Sequence, residues 1–183
     1  RRTISVQLRS AETSVVEATG LEAPEYVLVN GRGYGYGQVM PAPQTQDYLL
    51  EHVPSINDPI VRAVAWMSIW EALLENEVPV EDFVNLIVRS IPTEANELNL
   101  SRLLDYLETL YWRFLPSGMR ADYIEQIEKL LWSQLETATN GSRTRMYFQT
   151  YRKIATTELG IQRLLAVWRG EHTFTRFDLS SQD

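Results

Sequence analysis

Two hydrophobic periods divide the chain. Over residues 1–40 apolar and polar positions tend to alternate, the pattern of a half-buried strand. "TISVQL" puts Ile4, Val6 and Leu8 on one face, and "TSVVEATG" is a second candidate strand. "EYVLV" and "YGYGQV" flank Asn30-Gly31, a pair that tolerates positive φ and so favours a tight hairpin turn. Four short strands predict an antiparallel sheet or part of a sandwich. Alone it is marginal, because so few residues leave one face poorly covered. Residues 41–57 read as a proline-containing linker, in which "DYLLEHV" fits a short helix. From Asp58 the period becomes helical and stays so.

The first long helix has a legible start, with Asp58 as N-cap and Pro59 at the first helical position, where its missing N–H costs nothing. Ile60, Ala63, Val64, Met67, Trp70 and Leu74 mark its expected inner stripe, with Trp66 at the edge of that stripe, buried against the β segment or the second helix. The second helix starts near Pro79 and ends at Pro92, with Phe83, Leu86, Ile87 and Ser90 in phase. The third carries Leu100, Leu103, Leu104, Leu107, Leu110, Tyr111 and Phe114, and Pro116 and Gly118 break it. The fourth places Ile124, Ile127, Leu131 and Leu135 inside and ends at Asn140-Gly141, with Glu125, Glu128 and Lys129 on its exposed face. The fifth is "SRTRMYFQTYRKIAT", and the sixth has Ile161, Leu164, Leu165 and Trp168 in phase.

Roughly one helix per ~20 residues is the scale of HEAT-like or armadillo-like arrays. The expected fold is therefore mostly α with a small β N-terminal part, the helices stacked antiparallel in a superhelical arrangement. The helical domain covers 58–183. The chain opens on "RRTISV", already strand-like and without a methionine, and nothing in "TFTRFDLSSQD" caps such an array, so it reads as a piece of something longer.

Composition narrows the chemistry. With 183 residues, 44% hydrophobic and 22% charged, the chain can bury a core, and its five tryptophans are all expected in it. A net charge of −7 argues against a nucleic-acid partner. No apolar run approaches the ~18 residues of a membrane span. The lack of cysteine rules out disulfides and thiolate metal sites.

The glycines at 31, 33, 35 and 37 suggest a phosphate loop, but their spacing misses the dinucleotide fingerprint: its third glycine falls on Tyr36 or Gln38. No Gly-Lys pair exists for a P-loop. His52 and His172 lie far apart without the two-histidine helix turn of a zincin, and read as surface or capping residues. No G-x-S-x-G elbow occurs, and Ser117 and Ser142 lie at helix starts, where they cap. Glu75, Glu77, Glu81 and Asp82 cluster at a wet helix–helix turn, where nothing raises a carboxylate pKa. No catalytic or metal residue is assigned, and no substrate-binding residue emerges.

The residues do resemble the C-terminal part of the aminopeptidase N-type zinc peptidases of bacteria. In that family a β-sandwich ends in an "L-x-N-x-x-G-x-Y"-like turn, which Leu28, Asn30, Gly33 or Gly35, and Tyr36 fit loosely. A helical domain then opens with an "A/D-P-x-x-R-A-x-x-W-x-x-L-W/Y-E/D" helix. Asp58, Pro59, Arg62, Ala63, Trp66, Trp70 and Glu71 match it, with Ile69 where leucine is common. A later pair of segments is matched by Ser142, Arg143, Ala155, Leu164, Leu165, Trp168 and Gly170. The family's G-x-M-E-N and H-E-x-x-H motifs are absent.

The resemblance implies a non-catalytic portion of an enzyme that removes N-terminal residues from peptides. The zinc would belong to the parent, the partner would be the upstream catalytic domain, and the helices would cover the cavity and limit which peptides enter. It also implies a cell-envelope or secreted setting, with the cytoplasm left open. The competing expectation is an independent helical interaction module with no enzymatic role.

Overall fold

The computed structural model describes residues 2–8, 10–31 and 37–174. Among these residues seven α-helices follow one another: α1 (Pro43–His52), α2 (Pro59–Leu74), α3 (Val80–Ser90), α4 (Glu97–Thr109), α5 (Ser117–Thr137), α6 (Gly141–Ile154) and α7 (Glu158–Trp168). The short helix expected inside the linker is α1, and the six long helices stand where the 3.6 period puts them.

Local chemistry sets the boundaries. Asp58 Oδ1 accepts from Ile60 N and Val61 N, at 3.0 and 3.3 Å, with Pro59 behind it. Asn96, Asn140 and Thr157 cap α4, α6 and α7 by accepting from the backbone N–H three residues on. The fourth long helix, α5, therefore ends at Thr137, and Asn140 starts α6 instead of closing α5. At the end of α2, Asn76 takes φ +60°, so that Glu77 N reaches Ala72 O and Asn76 N reaches Leu73 O, the reciprocal pair of a Schellman cap.

One contiguous core runs through α1 to α6 and takes in Val167 of α7. α3 and α4 present Phe83, Leu86, Ile87, Leu100, Leu103 and Leu107 to it, all buried as their spacing predicts. α2 differs from expectation. Its inner face is Val61, Arg62, Ala65, Trp66, Ile69, Ala72 and Leu73, while Ile60, Met67 and Leu74 are exposed and Ala63, Val64 and Trp70 half-buried. This helix is apolar on both faces, so periodicity alone cannot say which faces inward.

The tryptophans also divide. Trp66 and Trp132 are buried, but Trp112 is 45% and Trp168 79% exposed. Trp112 lies in a π-helical turn, Leu110–Phe114, where Leu115 N bonds back to Leu110 O. Leu110 and Tyr111 of this turn stay buried on the inward stripe, and Trp112 follows them on the outer side. Trp168 ends α7, in which only Gly160 and Val167 are buried. Ile161 and Leu165, expected inside, are exposed.

No β-strand element forms among the described residues. Where "TSVVEATG" is expected as a strand, Val16–Ala18 makes a 3-10 turn. Val6, Leu8, Val16, Val27 and Val29 stay exposed, because no second layer covers the apolar face their alternation creates. This stretch touches the helices at few points. Tyr26 and Leu28 pack against the core, Val27 N donates to Thr45 Oγ1 at 3.1 Å, and Val39 N donates to Glu71 Oε2 at 3.2 Å.

Candidate functional site

The residues singled out in the sequence fall in two places. Asn30 takes φ +58° within a turn, and a Cβ on Gly31 would lie 3.4 Å from Leu28 O. The chain turns at Asn30-Gly31, but no strand of the expected hairpin flanks the turn among the described residues, and Gly33, Gly35 and Tyr36, the rest of that motif, lie outside them. Asp58, Pro59, Arg62, Trp66 and Trp70 lie along α2 and its N-cap, and each makes a different contact.

Arg62 is the centre of this group. Its guanidinium is buried and meets Glu94 with two parallel bonds, Nε to Oε2 at 2.7 Å and Nη2 to Oε1 at 2.6 Å. Nη1 donates to Ile56 O at 2.5 Å. The bonds to Glu94 push the guanidinium pKa above its already high ordinary value, against the opposing effect of burial, so it is a fixed charge. Glu94 Oε1 also accepts from Asn96 N at 2.9 Å. A bidentate pair of this kind fixes geometry as well as charge.

A second arginine reaches the same connection from α6. Arg143 donates to Glu94 O at 2.6 Å and Ala95 O at 3.2 Å. Beside it Glu97 accepts from Asn140 Nδ2 and Ser142 Oγ, each at 2.9 Å. These two bonds hold the Glu97 carboxyl below the usual carboxylate range. Ser142, expected as a helix cap, spends its hydroxyl on Glu97, while Asn140 caps the helix. Thus Arg62, Ser142 and Arg143, from distant parts of the chain, converge on residues 94–97. The convergence ties α2, α4 and α6 together.

The aromatic residues make a separate cluster. Trp66 packs against Phe83 of α3, ring centroids 6.3 Å apart, and its indole N–H has no hydrogen-bond partner. Trp70 stacks on Tyr106 at 4.3 Å and 12°, with Phe114 edge-on at 5.8 Å. Burial pushes the Tyr106 phenol up to about 12.

None of this is a catalytic arrangement. Among the described residues no group of three His, Asp or Glu side chains could hold a metal ion, so these residues do not fit a zinc site. His52 Nδ1 lies 3.0 Å from Tyr48 O, one turn back in α1, and His172 packs its ring on Trp132. Glu75, Glu77, Glu81 and Asp82 are exposed. No helix among the described residues is long and apolar enough to cross a membrane.

Sequence reasoning misses two carboxylates. Glu94 follows Pro92, where the pattern marks only a helix stop. Glu128, expected on the exposed face of α5, is 3% exposed. It accepts from Thr156 N at 2.7 Å, Thr157 N at 2.9 Å and Thr157 Oγ1. A signal exists: Glu128 stands one turn after Ile124 and three residues before Leu131, in phase with the buried stripe.

No protein-family model matches the chain. It is similar to the aminopeptidase N of Streptomyces lividans, with 25% identity over 84 residues. The match takes in 46% of this chain and 10% of the Streptomyces protein, so the chain spans a small part of that relative's length. That similarity is a loose link to the aminopeptidase N family and hints at a peptidase-related origin.

Proposed function

We propose that this chain is a non-catalytic helical portion of a larger zinc-dependent aminopeptidase, in which the helices cover the catalytic cavity and limit which peptides reach it. The observation that carries the reading is the similarity to the Streptomyces aminopeptidase N. The convergence of Arg62 and Arg143 on residues 94–97 supports it. These are residues of the two helical motifs that resemble the family, and their contacts give both motifs a shared structural reason. In this reading residues 1–40 complete a β-sandwich supplied by the parent, 41–57 link it to the helices, and 58–183 belong to a superhelical array. Zinc and the catalytic groups lie in the upstream domain of the same polypeptide, and no step of the reaction runs through residues of this chain.

The test compares the complete polypeptide with a version cut before Asp58, on a short aminoacyl reporter and on a long peptide. The reading expects the truncated enzyme to keep the reporter reaction and to lose its discrimination between short and long substrates. Unchanged discrimination by a folded truncated enzyme would sink the access role.

A second reading has one observation in its favour. Ile161, Leu165 and Trp168 expose an apolar stripe on α7, the kind of surface that marks a protein contact. An independent interaction module would present such a stripe without any peptidase. It predicts a native polypeptide that carries no zinc and cleaves nothing.

A further inference from the structure

α7 is attached unlike the other long helices. Leu159, Ile161, Leu165 and Trp168 are exposed, and only Gly160 and Val167 are buried. Val167 reaches the core and Leu164 packs against it, and beyond these, two end contacts hold the helix. At its start the chain leaves α6 through Ala155 in an extended conformation. There the buried Glu128 carboxylate of α5 gathers Thr156 N, Thr157 N and Thr157 Oγ1, and Thr157 Oγ1 in turn accepts from Gly160 N at 3.0 Å. Gly160 is pressed on the same group: a Cβ there would lie 2.5 Å from Glu128 Oε2 and 2.8 Å from its Cδ. At the other end the Trp132 ring of α5 is the anchor. Arg163 lies over it at 4.8 Å. Gly170, at φ +72°, then reverses the chain so that His172 and Phe174 fold back on the same ring, at 5.1 and 5.8 Å.

We infer that α7 with residues 169–174 is a flap that opens as one unit about the Ala155–Thr157 connection, latched at one end by the Glu128 carboxylate and stapled at the other by the Trp132 ring. The physical ground is the distribution of contacts. Segments with little buried apolar surface open locally at a fraction of the global unfolding free energy, and here one carboxylate accepts three hydrogen bonds at the start of the segment. Opening would uncover Trp132 and break no contact between α2, α3 and α4. The inference stands whether or not the chain belongs to an aminopeptidase.

Native-state hydrogen exchange on the 183-residue chain tests it. Amides of 161–168 are expected to exchange at least about tenfold faster than those of α4 and α6, through an opening that exposes little surface. Glu128→Gln removes the charge from the latch, and Gly160→Ala drives a methyl into it. Each is expected to speed exchange in α7 a further tenfold or so, the effect of weakening hydrogen bonds to a charged group, with α4 unchanged. The alanine is informative because its helix propensity alone would slow exchange. Wild-type α7 amides as protected as those of α4 would overturn the inference. So would two variants that accelerate all helices alike, or an α7 that is unmoved by both. If a variant fails to fold, the wild-type comparison decides.

Discussion

Trp66 is the largest fully buried side chain of α2. It is 1% exposed and wedged against Phe83, and its indole N–H finds no partner. Trp66→Ala removes a large apolar surface and leaves a cavity, with an expected cost of about 3–5 kcal/mol. Urea midpoints at equal slope measure it, and a loss below about 1 kcal/mol would contradict burial as its role. Tyr106 gives a pH-dependent prediction. Its phenol is raised by burial from 10.0 to about 12, so the folded state holds a proton that the unfolded state releases. The stabilising contribution is complete below about pH 10 and is lost as pH rises towards 12, by roughly 2 kcal/mol. Tyr106→Phe should flatten that alkaline loss in denaturation curves taken across the range, and an identical loss in the variant would refute the assignment. Residues of this kind are unevenly legible in the sequence. The burial of Trp66 can be read there, because a large aromatic beside an apolar stripe is usually core. The burial of Glu128 is masked by its charge, which points outward while its phase in the helix points in.

Among the elements, α2 shows what periodicity can and cannot reveal. Its start is readable from Asp58 and Pro59, which act through local hydrogen bonding alone. Its inward face is not, since Ile60, Met67 and Leu74 offer as good a stripe as Val61, Ala65 and Ile69. The choice is settled by Arg62, whose buried pairing with Glu94 across 32 positions no local pattern discloses. Removing one partner of such a pair leaves an uncompensated buried charge. Glu94→Ala should therefore cost about 3–5 kcal/mol. Arg62→Met together with Glu94→Leu should cost markedly less than the two single changes added. A double-mutant cycle reads this directly, and simple additivity would mean that the pair does not act as a unit. The π turn at Leu110–Phe114 is equally hidden, because one inserted residue leaves no mark in composition and shows in the bond from Leu115 N to Leu110 O.

For the molecule as a whole, the helical succession is legible almost helix by helix, while the β expectation for residues 1–40 finds no strand among the described residues. A helix satisfies its own backbone, but a strand needs partners and a covering layer, and the described part of this stretch supplies neither. Since Tyr26 and Leu28 are the points where this stretch packs on the core, deleting residues 1–24 should leave the thermal midpoint of the helices nearly unchanged by far-UV circular dichroism. A large drop would show that the N-terminal stretch is integral to the helical fold. The proposed function rests on the chain being part of a larger enzyme, and one measurement addresses that most directly. The native polypeptide can be captured from its source cells with an antibody to α4, and its intact mass, zinc content and hydrolysis of an aminoacyl reporter read on the same sample. The expected result is a species far heavier than 21.1 kDa that holds one zinc and releases N-terminal residues. A metal-free, inactive polypeptide of about the mass of this chain alone would contradict it.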